Sequence, residues 1–225
     1  IRMVESKLVK NNFPNYNKIV KLDKDYKIVS IDGIHSKSKL FLDFTKADLQ
    51  KISQLEFDCL IRCGSGIIKG EILNLPRYGV LSFHHGDNRK NRGGPSGFWE
   101  VLNNDPSSGF IIQKLNDELD GGEVLVRGNI MTKGLWVQNN AMLLEKSYFF
   151  FKKLLEHIAK NNSLPPIEGP RLHDKKLFRI NSSLTLLRYF LSVLGPKIIN
   201  KIITKALSSN VSRWSIAYAA HNDFR

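Results

Sequence analysis

Apolar and polar residues alternate along residues 19–34 (IVKLDKDYKIVSIDGI), a period of two that predicts one or two strands or a hairpin. Residues 45–55 (TKADLQKISQL) switch to helical spacing. Thr45 is positioned to cap, Asp48 follows three residues on, and Leu49, Ile52 and Leu55 share a face. Residues 57–61 (FDCLI) form a short apolar run of the kind a buried parallel strand shows. A small-residue turn follows, and residues 67–73 read as helical, so that strand, turn and helix make one crossover of an α/β fold. Residues 79–83 (GVLSF) are the next strand, and residues 95–102 are expected to be a helix with Pro95 in its first turn. Two β segments, 109–115 and 122–131, flank residues 116–121.

The longest helix is expected over 141–160, with Leu144, Tyr148, Phe151, Leu155 and Ile158 on one face. Residues 162–170 carry three of the eight prolines and read as a linker. Beyond it, residues 182–208 form an amphipathic helix kinked at Gly195–Pro196, and residues 214–218 (WSIAY) look like the start of another strand. The helix serves either to pack on the body or to dock on a membrane or partner, core packing being the simpler role. No internal repeat is visible. The pattern predicts an α/β domain over 1–161, a mostly parallel sheet flanked by helices, and a C-terminal segment over 162–225 of linker, helix and further chain.

Composition changes this picture little. The 225 residues are 42% apolar and 24% charged, an ordinary globular balance. The formal charge of +13 invites nucleic acid, an anionic substrate or an acidic membrane as partner. The lysines are scattered, however, and a solvated basic surface is the simpler reading. Cys59 and Cys63 have no second pair, so neither a zinc site nor a disulfide is indicated, and both are expected to be buried thiols. No signal-peptide pattern and no membrane-spanning apolar run is visible, which points to a cytoplasmic enzyme. The chain starts at Ile1 without a methionine, as a piece of a longer protein would.

The chemistry concentrates in the loop after the 79–83 strand: His84, His85, Gly86, Asp87, Asn88, Arg89, Lys90, Asn91, Arg92, Gly93, Gly94. Ligands of open α/β sheets bind at the carboxyl ends of strands, and histidine is the side chain suited to proton traffic near neutral pH. The strand ends Ser82-Phe83-His84, the loop closes Arg92-Gly93-Gly94-Pro95, and a later turn reads Glu118-Leu119-Asp120-Gly121-Gly122. In that order and separation these motifs resemble the folate-dependent formyltransferase family, whose strand ends Asn-x-His and whose later turn is Leu-Asp-x-Gly. The likeness covers residues 57–160.

The resemblance implies a Rossmann-like fold and a formyl-transferase activity with N10-formyltetrahydrofolate as co-substrate and no metal. His84 and Asp120 would be catalytic, with Ser82 standing where the family has its asparagine. A serine hydroxyl is a shorter donor than an amide, and losing an oxyanion donor costs on the order of a hundred-fold in rate. Cys63, Gly64, Ser65, Gly66 and Ile67, together with Leu119, Gly121 and Gly122, would wall the folate pocket. His85, Asp87, Arg92, Gly93 and Gly94 would face the acceptor. The acceptor is expected to be an amine on an activated, nucleotide-linked sugar, because the loop departs from the tRNA-formylating pattern and the tail shows no β-barrel. Initiator tRNA is the alternative partner, and a non-catalytic binding module is a third reading. A homodimer is left open.

Overall fold

The computed structural model describes residues 1–9, 28–31, 33–36, 41–63, 66–90, 94–118, 122–169, 180 and 183–210. The expected strands over 19–27 and 214–218 lie outside the described residues. A larger sheet runs in the order β3 (Leu60–Arg62), β5 (Val80–His84), β6 (Ser107–Lys114), β7 (Glu123–Met131). A smaller one runs β1 (Ile34–His35), β2 (Phe41–Asp43), β4 (Ile67–Ile68). The strands expected at 57–61 and 79–83 are neighbours and parallel, with Arg62 opposite Ser82. The α/β reading therefore holds, but the described sheet is mixed, because β5–β6 and β6–β7 are antiparallel. A short turn can join β6 to β7 only as antiparallel partners.

The larger sheet buries both faces. On one, Leu81, Ile112 and Leu125 pack with Phe151, Leu154 and Ile158 of α4 (Trp136–Asn161). On the other, Val80 meets Ile52 of α2 (Lys46–Ser53) together with Ile72 and Leu73. The start of α2 follows the sequence closely. Thr45 Oγ1 accepts from Asp48 N at 3.1 Å while the Asp48 carboxylate accepts from Thr45 N at 3.2 Å. Such a reciprocal cap contributes about 1 kcal/mol.

Three elements differ from the pattern reading. Residues 67–73 are not one helix: Ile67–Ile68 pair with β2, Gly70 has a φ of +85° that no helix contains, and only Glu71–Asn74 wind, as a 3-10 turn. The helix expected from Pro95 is α3 (Phe98–Leu102), because the carbonyls ahead of it are taken by side chains. Trp99 Nε1 donates to Gly94 O at 3.2 Å, Trp136 Nε1 to Ser96 O at 3.0 Å and Asn139 Nδ2 to Gly97 O at 2.9 Å. The buried face of α4 is Leu143, Ser147, Phe151, Leu154 and Ile158, one residue round from the expected one, and Tyr148 is exposed.

Past the 162–169 segment, α5 (Ser183–Tyr189) passes through a π turn (Phe190–Leu194) into α6 (Gly195–Asn210). The wider turn stands just ahead of Pro196, whose ring clashes with a normally wound preceding turn. Tyr189, Val193 and Leu194 pack with Phe98, Trp99 and Leu135. Beneath them the fully buried Glu5 of α1 (Arg2–Leu8) accepts from Val137 N at 2.7 Å, from Trp136 N at 3.1 Å and from the Tyr189 hydroxyl. Its carboxylate thus occupies the orphan amides and positive end of α4. Burial, and next the Glu5 carboxylate, push the Tyr189 phenol well above its usual range.

Candidate active site

The alternation of β5 sorts its side chains. Leu81 and Phe83 face α4, whereas Val80, Ser82 and His84 share the other side. Ser82 is 1% exposed and is flanked by Arg62 on β3 and Gln113 on β6. Arg62 Nη1 approaches the Ser82 hydroxyl at 3.4 Å, and Arg62 Nη2 donates to Gly66 O. Its buried Nε makes no hydrogen bond among the described residues. Sequence reasoning passed over Arg62; the signal was a cation closing the otherwise apolar run FDCLIR.

An apolar cavity of about 340 Å³ lies on this side, lined by Phe44, Ile52, Leu60, Ile68, Ile72 and Val80 with Arg62 among its walls. A second, smaller cleft of about 130 Å³ is bounded by Leu73, Asn74, Lys114, Asn116, Asp117 and Glu123. Beside the residues expected to wall a folate pocket, Gly70 N donates to the Asp117 carboxylate at 3.2 Å. Cys63 is exposed and Cys59 half-buried rather than both buried, and burial pushes the Cys59 thiol up. Ile67 is held in β4. Gly64, Ser65, Leu119, Asp120 and Gly121 lie outside the described residues, so the expected pairing of His84 with Asp120 has no described geometry.

Leu115 N bonds Val80 O at 2.8 Å while His84 stands opposite Ile111. Residues 115–118 therefore leave β6 beside Val80, at the opposite end of β5 from His84. Where the chain returns, a Cβ on Gly122 would sit 2.9 Å from the Gln113 side chain. Gln113 is the residue opposite Ser82.

The residues expected to face an acceptor divide. His85 Nε2 lies 2.9 Å from Ser147 Oγ and its ring stacks on Phe83 at 5.8 Å between centroids. Burial, and next the neighbouring His84, bring its pKa from 6.5 down to about 4, so it is a neutral packing histidine at neutral pH. Asp87 is 2% exposed, with Arg89 Nη2 at 2.8 Å and Arg127 Nη1 at 2.7 Å. Burial alone would raise its pKa, but these two guanidinium groups hold it below the usual carboxylate range. Arg127 also donates to Asn88 Oδ1 at 3.0 Å and to Glu168 at 2.9 Å. One half-buried cation on β7 therefore ties the loop after His84 to the segment after α4, a role sequence reasoning did not foresee. Gly109 makes the approach possible, since a Cβ there would stand 2.7 Å from Asp87 Cβ. Gly94 is exposed apart from its bonded carbonyl; Arg92 and Gly93 lie outside the described residues.

The mixed sheet thus carries a histidine and a buried hydroxyl on one side of the end of β5. No family model matches the chain. A methionyl-tRNA formyltransferase of Clostridium beijerinckii is 23% identical over 166 residues, covering 69% of this chain and 53% of its own length. That of Clostridium acetobutylicum is 21% identical over 232 residues, covering 98% of this chain and 62% of its own. Among solved structures, the formyltransferase PseJ from Anoxybacillus kamchatkensis superposes with a TM-score of 0.47 at 18% identity, over 61% of this chain and 70% of its own. A methionyl-tRNA formyltransferase from Clostridium thermocellum gives 0.44 at 15%, over 70% and 68%. By its motifs and these sequence relatives, the chain is similar to the folate-dependent formyltransferases. It spans about half the length of the first of them.

Proposed function

We propose that this chain transfers a formyl group from N10-formyltetrahydrofolate to an amine carried on an activated, nucleotide-linked sugar. The observation that carries the reading is the placement of Ser82 and His84 on one side of β5 at the sheet's carboxyl edge, with Arg62 beside them. The amine nitrogen attacks the formyl carbon and the carbonyl oxygen becomes an oxyanion. The intermediate then collapses with cleavage of the bond to N10. The amine gives up one proton and N10 takes one, so the products are a formamide and tetrahydrofolate. His84 serves as the donor to the oxyanion, Ser82 and Arg62 supply the remaining hydrogen bonds, and Asp120 accepts the amine proton directly or through water.

A specific observation also favours initiator tRNA: the sequence relatives are methionyl-tRNA formyltransferases, and the charge of +13 suits a polyanion. Against it, the described residues after the 162–169 segment are helical rather than a strand-built tRNA-binding module. The test incubates the chain with N10-formyltetrahydrofolate and, separately, nucleotide-linked amino sugars and methionyl-tRNA. Formylation of a sugar that drops several hundred-fold in His84→Ala and survives in Ser82→Asn is expected. Salt-sensitive formylation of tRNA alone would replace the acceptor. Tight folate binding without transfer to either would make the chain a binding module.

A further inference from the structure

Across β5, β6 and β7 the residues His84, Ile111 and Arg127 stand opposite one another, so their side chains share one side of the sheet. Two strand spacings, roughly 10 Å, separate the ends of that row. The loop that leaves His84 bridges them. Its Gly86, Asp87 and Asn88 are buried, and it crosses β6 at Gly109, where a Cβ would stand 3.0 Å from Asp87 N. On reaching β7 it meets Arg127, whose Nη1 donates to Asp87 Oδ1 at 2.7 Å and whose Nη2 donates to Asn88 Oδ1 at 3.0 Å. The same Asp87 oxygen accepts from Arg89 N at 3.1 Å and so closes the turn. Arg127 is steadied in its turn at Nε by the Glu168 carboxylate, 2.9 Å away.

We propose that Arg127 is the positioning residue of His84: seating Asp87 and Asn88 on β7 stretches the loop across β6 and fixes where the imidazole points. Asp87 then serves the reaction through His84 and does not touch the acceptor. The proposal rests on the formyl-transfer reading only for what His84 does. Two features select a positioning role over a simple ion pair. The fork spans acceptors on two successive residues, which sets the direction of the loop as well as its distance, and a planar guanidinium is the group able to do so. The anchor also lies in the row of His84 itself, so a loop released from Arg127 is free to swing where the histidine leaves β5. A shift of about 1 Å at a reacting group costs on the order of a hundred-fold in rate.

The experiment compares the native chain, Arg127→Met and Arg127→Lys by formyl transfer and by the nuclear magnetic resonance signal of the His84 ring, identified by its loss in His84→Ala. In Arg127→Met, kcat is expected to fall on the order of a hundred-fold with the KM values for folate and acceptor within about two-fold, and the ring signal to shift or split. Lysine keeps a charge beside Asp87 but reaches one acceptor, so Arg127→Lys should recover about ten-fold of that loss. The signal of His157, near the end of α4, should stay in place throughout. If Arg127→Met melts below the assay temperature, Arg127→Lys carries both measurements, with a loss of about ten-fold expected. An unmoved His84 signal in a folded variant would overturn the proposal, whatever the rate. So would a raised acceptor KM at native kcat, which would put Asp87 or Arg127 on the acceptor. The ring signal needs no co-substrate: if the native chain formylates nothing, the formyl-transfer reading fails and the His84 signal alone decides the positioning.

Discussion

Acidification tests the packing of the loop after β5 through a single ring. His85 is half-buried against Phe83 and Ser147 with its pKa brought from 6.5 to about 4, so the unfolded chain binds a proton that the folded chain refuses. Between those values stability rises with pH, and it is lost as pH falls, because the unfolded state carries more protons. With one site of this kind, lowering the pH from about 7 to about 5 costs about 2 kcal/mol, and the full effect well below pH 4 is about 3 kcal/mol. For a chain of this size the first figure is a fall in melting temperature of about 4–7 °C. Asp87 does not blur the result: its pKa is depressed from an already acidic value, so it is ionised in both states over that window. The assay is thermal unfolding across the window for the native chain and for His85→Gln, whose amide can keep the bond to Ser147. The native chain should lose the stated stability and the variant should be nearly flat in comparison. Parallel curves for the two would refute the assignment of a buried neutral ring.

Arg127→Met leaves the buried Asp87 carboxylate with Arg89 alone and should cost about 3 kcal/mol in urea unfolding, while Asp87→Asn/Arg127→Met should cost less than the two single changes together. A loss below about 1 kcal/mol for Arg127→Met would show the cation to be ornamental. Gly109→Ala drives a methyl into Asp87 Cβ and its backbone and should cost about 1–3 kcal/mol, whereas Gly169→Ala, which meets nothing within 4 Å, should leave the melting temperature unchanged; equal melting of the two would remove the crowding argument.

The local pattern was legible wherever one element decides its own form. Thr45 and Asp48 announced the start of α2, and the apolar runs before Arg62 and before His84 marked the two parallel strands. What failed was decided at a distance. Ile67 and Ile68 look helical in a window, yet a strand twenty-odd residues earlier claims them, as β-branched residues readily allow. The buried side of α4 turned by one residue because Asn139 and Ser147, polar in sequence, are satisfied by Gly97 and His85 and so can go inside. That His84 closes a strand was legible in the sequence. The electrostatics around it were not, since Arg62 and Arg127 acquire their meaning only from partners brought to them by the sheet.

The junction at Glu5 has a consequence for the order in which this molecule comes apart. Its three partners come from residues 131, 132 and 184 positions away, so the junction closes long loops and forms only after the sheet and α4 are in place. A helix of seven residues such as α1 has no stability of its own in water. It is therefore helical only while its glutamate is seated, and the Tyr189 hydroxyl that shares the seat belongs to the C-terminal arm. The two should open together as one unit, exposing their amides to hydrogen exchange at a lower free energy than the strands that carry His84.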